Sequence, residues 1–146
     1  MKDLKNIFRN IEKSLKKSSW YNDEWKIYNR GVYLQLYKSN WHNSKQGGIH
    51  FETHIESKEV QQKEFPISMH VEEDTPSQNE FIEKFLINEK KRMESWKGYK
   101  IGKGYSVCKR TLPLNSKNLE QRIIEELNRL QQLANSIDKT LEMIGA

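Results

Sequence analysis

The sequence predicts an α+β fold, an antiparallel sheet of four or five strands with an N-terminal helix, a helix after the strand meander and a long C-terminal helix, at least the last two helices packed on one face. Three observations carry this. Apolar residues recur at helical spacing near both ends and after Pro76; residues 49–57 and 65–72 alternate with the two-residue period of strands; and Gly, Pro and Asn punctuate the stretches between them. A chain of 146 residues has room for one hydrophobic core, so residues 1–146 form a single domain.

Leu4, Ile7, Phe8, Ile11 and Leu15 recur at steps of three and four with lysines filling the other face, which predicts a helix over 2–17. Trp25, Ile27 and Tyr28, then Asn29-Arg30-Gly31, then Val32 to Lys38 read as a hairpin with a short glycine-containing turn. After the loop Asn40 to Gly48 come strands Ile49 to Ser57 and Phe65 to Glu72, joined by a polar turn. Thr75-Pro76-Ser77-Gln78 has the form of a helix start, with an N-cap threonine, proline at the first position and glutamine at the third, opening a helix over 76–96. Its stripe is Ile82, Phe85, Leu86, Met93 and Trp96, and Gly98, Gly102 and Gly104 mark its end. A further strand fits Tyr105 to Leu112, and Pro113 with Asn115-Ser116 ends it and caps a helix over 117–144. In that helix Ile123, Leu127, Leu130, Ala134, Ile137, Leu141 and Ile144 alternate in steps of four and three, a 3.5-residue period. Such a stripe serves either as a dimer seam or as the cover of the chain's own sheet. Packing inside the chain is the favoured use, and Ile123, Leu127, Leu130, Ile137 and Leu141 are the candidate oligomer seam.

Composition narrows the function classes. Charged residues make up 31% and the mean hydropathy is −0.94, with no run of about 18 uncharged apolar residues, so no membrane partner is expected. MKDLKNIFRNIEKSLKK lacks an uninterrupted apolar stretch, which argues against a signal peptide and makes a cytoplasmic location the default. With Cys108 as the single cysteine there is neither an internal disulfide nor a thiolate zinc cluster. The net charge of +5 is unevenly spread, residues 48–83 carrying two basic and nine acidic side chains and residues 84–110 nine basic and two acidic ones. Lys90, Lys91, Arg92, Lys97, Lys109 and Arg110 are the candidates for nucleic-acid contact, provided folding gathers them.

Strand alternation gathers the chemistry-bearing residues on one sheet face. Phe51 and Ile55 point to the core and leave His50, Glu52, His54 and Glu56 opposite; Phe65, Ile67, Met69 and Val71 point in and leave Ser68, His70 and Glu72 beside that row. With Val32, Leu34 and Leu36 inward, Tyr33, Gln35 and Tyr37 join the same face. The candidate binding surface is therefore Tyr33, Gln35, Tyr37, His50, Glu52, His54, His70 and Glu72. His50 and His54 are four strand residues apart, about 13 Å, and cannot share an ion. A metal site would need His70, Glu52 and one other histidine in register. Cross-strand His–Glu pairs without metal or cofactor are the favoured reading.

Catalytic arrangements are sparse. Glu56-Ser57-Lys58 has the (D/E)-x-K form of metal-dependent nucleases, but residues 31–51 contain no Asp or Glu to supply its upstream partner. Cys108 falls in an alternating strand as a small buried residue, and Gly102-Lys103-Gly104 is too short for a phosphate cradle. No catalytic residue is assigned. The expectation is a non-enzymatic interaction or accessory module that binds a protein partner or itself, with nucleic-acid binding through 84–110 as the alternative.

From residue 49 onward, the order strand, strand, helix with EKKRMESW, strand GYSVCKRTLPL and a helix ending LQQLANSIDKTLEMI resembles a bacterial domain of unknown function found C-terminal to restriction-type nuclease folds. The resemblance implies an accessory or recognition role in DNA-related or defence systems and supplies no catalytic residues.

Overall fold

A computed structural model describes residues 4–115 and 117–146, leaving aside the side chains of Leu4 and Lys5. The first positions of the helix predicted over 2–17, and Ser116 of the predicted cap, lie outside the described residues. In chain order the elements are α1 (Leu4–Lys16), β1 (Trp25–Asn29), β2 (Tyr33–Lys38), β3 (Ile49–His54), α2 (Ser57–Gln62), β4 (Glu64–Val71), α3 (Gln78–Ser95), β5 (Lys100–Ile101), β6 (Ser106–Pro113), α4 (Leu119–Leu130) and α5 (Ala134–Ile144), with a 3-10 turn over Gln131–Leu133 between the last two. The strands form one antiparallel sheet in the order β1-β2-β3-β4-β6-β5.

The architecture is the expected α+β class with six strands. The sixth is the two-residue β5, too short to leave a periodic trace in sequence. The β1–β2 turn is closed by Arg30 N–H donating to the Tyr33 carbonyl at 2.9 Å and Gly31 N–H donating to Asn29 Oδ1 at 2.8 Å. Gly31 has φ 85°, a conformation a side chain would resist. Val32, expected inward, belongs to this turn and is exposed.

Leu34, Leu36, Phe51, Phe65, Ile67, Met69, Val71 and Leu112 are buried on one face beneath the helices. Phe8 of α1 stacks on Phe65 at 5.7 Å, and Phe81 stacks on Phe85 within α3 at 5.6 Å. Each such side chain removed from water contributes about 1.5–3 kcal/mol before entropy is set against it. The candidate oligomer seam is corrected here. Ile123, Leu127, Leu130 and Ile137 are fully buried and Leu141 is 3% exposed within a single chain, because α4 lies beside α1 and α5 beside α3. Packing among α1, α3, α4 and α5 consumes the stripe that a partner would have used.

Two local expectations are also corrected. A polar turn between β3 and β4 is instead the one-and-a-half-turn α2, which begins after Glu56 and ends at Lys63 in a left-handed conformation. Glu56-Ser57-Lys58 therefore opens a helix and does not end a strand. α3 starts at Gln78, not Pro76; Ser77 precedes it with φ 55°, and the Gln78 amide donates to the Val71 carbonyl at 2.7 Å. Among the described residues no helix is long and apolar enough to cross a membrane.

Candidate functional site

The face opposite the helices is built by the middle strands. Gln35 stands opposite Glu52, Glu52 opposite Ser68, Ser68 opposite Lys109, and His50 opposite His70. Although no helix covers them, Gln35 and His50 are fully buried, Glu52 is 4% exposed and Ser68 3%. The cover is local. The loop before β3 folds back over His50 and Gln35, α2 flanks His54, and Tyr105 lies against His70 with ring centroids 5.0 Å apart. A bulge between Met69 and His70 sets His70 opposite Ser106, directly after Tyr105. Bulges of this kind re-aim a side chain next to a site.

Four side chains converge. His50 Nε2 is 2.9 Å from Glu52 Oε1 and 3.2 Å from Glu72 Oε2, while His70 Nδ1 is 3.1 Å from each of the same two oxygens. All four atoms lie within 4.8 Å of one another. Around them, Tyr33 donates its hydroxyl hydrogen to Glu52 Oε1 at 3.1 Å, and Gln35 contacts Tyr33, His50 and the Gln46 carbonyl. The far nitrogens of both imidazoles are also occupied. His50 Nδ1 is 3.1 Å from the Gly47 carbonyl, and His70 Nε2 is 3.1 Å from Ser68 Oγ. Gly48 makes the fold-back of the loop feasible: its φ is 62° and a Cβ there would strike the His42 carbonyl.

Charge and burial oppose each other. Burial disfavours the charged forms, but the hydrogen bonds between the histidines and Glu52 and Glu72 outweigh it. His50 titrates above its ordinary range and His70 at about 9, while Glu52 is held well below the usual carboxylate range and Glu72 at about 2. The neighbouring Glu52 carboxylate likewise raises His54. Tyr33, buried and beside the Glu52 charge, is pushed up.

His54 is adjacent to this group but does not join it. Its Nδ1 is 3.5 Å from Glu52 Oε2 and its Nε2 3.5 Å from Glu59 Oε2, so it leans toward α2. Tyr37 is half-buried against the rim of the core, away from the cluster. Openings flank the cluster. One, about 270 Å³, is lined by His54, Glu59, Ser68, His70, Tyr105 and Lys109; another, about 410 Å³, by Lys45, Gln46, Glu72, Glu73, Asp74 and Tyr105.

No protein-family model, curated protein or solved structure matches the chain. The reading of the site rests on its geometry.

The candidate nucleic-acid residues do not converge. Lys90, Lys91 and Lys97 are exposed in or just after α3, and Arg92 is 3.6 Å from Glu89 and donates to the Gln132 carbonyl. Lys109 stands on the sheet face opposite the long helices, on the opening shared with α2. Arg110, its neighbour in the strand, turns to the opposite face and donates to Glu126 Oε2 at 2.7 Å with both side chains largely buried. Six cations divided between two faces of one sheet make no single patch, so the condition on which nucleic-acid contact depended is not met by these six together. Sequence reasoning missed Tyr105, Glu59 and the loop carbonyls of Gln46 and Gly47. A signal for the converging four did exist: His50-Phe51-Glu52 and His70-Val71-Glu72 repeat one His-x-Glu spacing.

Proposed function

We propose that the domain is a non-enzymatic ligand-binding module whose working surface is the helix-free face of its sheet, centred on His50, Glu52, His70 and Glu72. The observation that supports this is a charged quartet, His50 and Glu52 buried and His70 and Glu72 partly so, on a face where the fold has no need of it. Removing two carboxylates and two imidazoles from water is costly, and a set of well-packed apolar side chains of similar volume is commonly neutral or stabilising by about 1–4 kcal/mol. Positions at which a chain departs from what its fold would select concentrate at functional sites. The rest of the chain is consistent with its fold: the helix side of β3 and β4 is filled by Ile49, Phe51, Phe65, Ile67, Met69 and Val71, and the helix stripes meet the sheet. Self-association through the last helix has less behind it, because its stripe is already packed.

The test needs no ligand. The quadruple variant His50→Leu, Glu52→Leu, His70→Leu, Glu72→Met is compared with the natural sequence by urea unfolding. An equal or higher midpoint is the expected result. A clear loss of stability would make the quartet a structural device and remove this reading.

A further inference from the structure

The quartet has the dimensions of a coordination sphere. Its atoms alternate nitrogen, oxygen, nitrogen, oxygen around a ring with edges of 2.9, 3.1, 3.1 and 3.2 Å. A point equidistant from four atoms with edges of about 3.1 Å lies about 1.9 Å from each in a tetrahedron (0.61 of the edge) and about 2.2 Å in a plane (0.71 of the edge), which brackets the roughly 2.0–2.2 Å of zinc bonds to imidazole and carboxylate. Calcium takes six to eight oxygen ligands and magnesium prefers oxygen and its own waters, so two imidazole nitrogens in a set of four suit neither.

The surroundings of the histidines are an independent observation. His50 Nδ1 lies 3.1 Å from the Gly47 carbonyl, which can only accept, and 3.2 Å from the Asn43 side-chain amide, and these contacts turn Nε2 into the ring. On the other side Ser68 Oγ stands behind His70 Nε2 and leaves Nδ1 facing the ring. Each imidazole is thus anchored by the nitrogen that would not bind an ion, the arrangement that fixes tautomer and orientation in metal-ligating histidines. His50 and Glu52 are buried and rigidly placed, whereas the Glu72 side chain is 29% exposed, so the ring is open toward solvent on the Glu72 side. The two His-x-Glu segments make this economical: in paired antiparallel strands with His50 opposite His70, each strand contributes one nitrogen and one oxygen from the same face.

We propose that His50 Nε2, Glu52 Oε1, His70 Nδ1 and Glu72 Oε2 together bind one divalent transition-metal ion of the zinc class. The proposal deepens the reading of the helix-free face as the working surface and rests on it. The ion is reached from the Glu72 side, beside Tyr105, where a water or a ligand from outside the chain completes its coordination.

The full chain, stripped with a chelator and desalted, is titrated with zinc and separately with cobalt(II). One equivalent per chain is expected, and the cobalt form should show the intense visible bands of a low-coordinate ion with nitrogen ligands. His70→Ala and Glu72→Gln should abolish uptake, and His54→Ala, on the same face but outside the ring, should retain it. Ser68→Ala, which removes only the group behind His70, should weaken binding on the order of tenfold. Should His70→Ala fail to fold, Glu72→Gln carries the test, since it keeps the side-chain volume at the exposed rim. Failure of the natural chain to bind either ion overturns the proposal. Uptake left unchanged by His70→Ala and Glu72→Gln, or abolished by His54→Ala alone, overturns it equally. If neither ion binds yet the apolar quadruple variant is as stable as the natural chain, the metal is wrong and the working surface stands; if that variant is destabilised, the surface reading fails by itself.

Discussion

His50 and His70 face each other across β3 and β4 as register partners, their ring centroids 5.5 Å apart, and each is followed two residues later by a glutamate that reaches the same space. Two imidazoles this close tolerate positive charge only because Glu52 and Glu72 lie between them.

In the metal-free protein this gives a defined pH window. His70 is raised from 6.5 to about 9, so its contribution to stability is complete below pH 6.5 and lost as pH rises through about 9. Glu72 is lowered from 4.5 to about 2, so its contribution is complete above pH 4.5 and lost as pH falls through about 2. Urea unfolding in the presence of a chelator should show greatest stability between pH 4.5 and 6.5 and a decline as pH rises through about 9. Zinc in excess should reverse that decline, because ligand histidines must give up their protons to the metal.

Leu127 of α4 is fully buried. Leu127→Ala should cost about 2–5 kcal/mol in denaturant unfolding and leave the solution mass by light scattering unchanged. A change in mass with stability retained would return the stripe to an interface.

Arg110 and Glu126 tie β6 to α4 at 2.7 Å, and Tyr99 donates to the other Glu126 oxygen at 3.0 Å. Glu126→Ala leaves a buried guanidinium and a phenol without their acceptor and should cost about 3–5 kcal/mol. Replacing Arg110 and Glu126 together by Met and Leu should recover most of that loss, which a double-mutant cycle would measure.

Cys108 is fully buried on the core side of β6, and burial pushes its thiol up to about 12. Native protein at about pH 8 should react with a thiol reagent only as fast as it opens, whereas denaturant should release one equivalent at once. Rapid labelling of the folded chain would contradict the placement of β6.

Which residues share a face was legible in the sequence, because the two-residue period of a strand sends His50, Glu52 and His54 to one side whatever the strand pairs with. The helix stripes were legible for a similar reason: a 3.6-residue turn records its buried side directly. α2 and β5 were not, since one and a half helical turns and two strand residues are shorter than the periods that reveal them.

Period alone determined the faces, the long helices and the α+β class. Tertiary structure decided the rest. A seam with 3.5-residue spacing fits a partner chain or the chain's own α1 and α3 equally well, and only packing chose the latter. Whether His50 meets His70 depends on register and on a single bulge, and a slip of one residue in either strand would turn Glu52 or His70 into the core. The sequence carried four ligand-type side chains on two strands; the hydrogen-bonded ladder between those strands brought their atoms within 4.8 Å of one another.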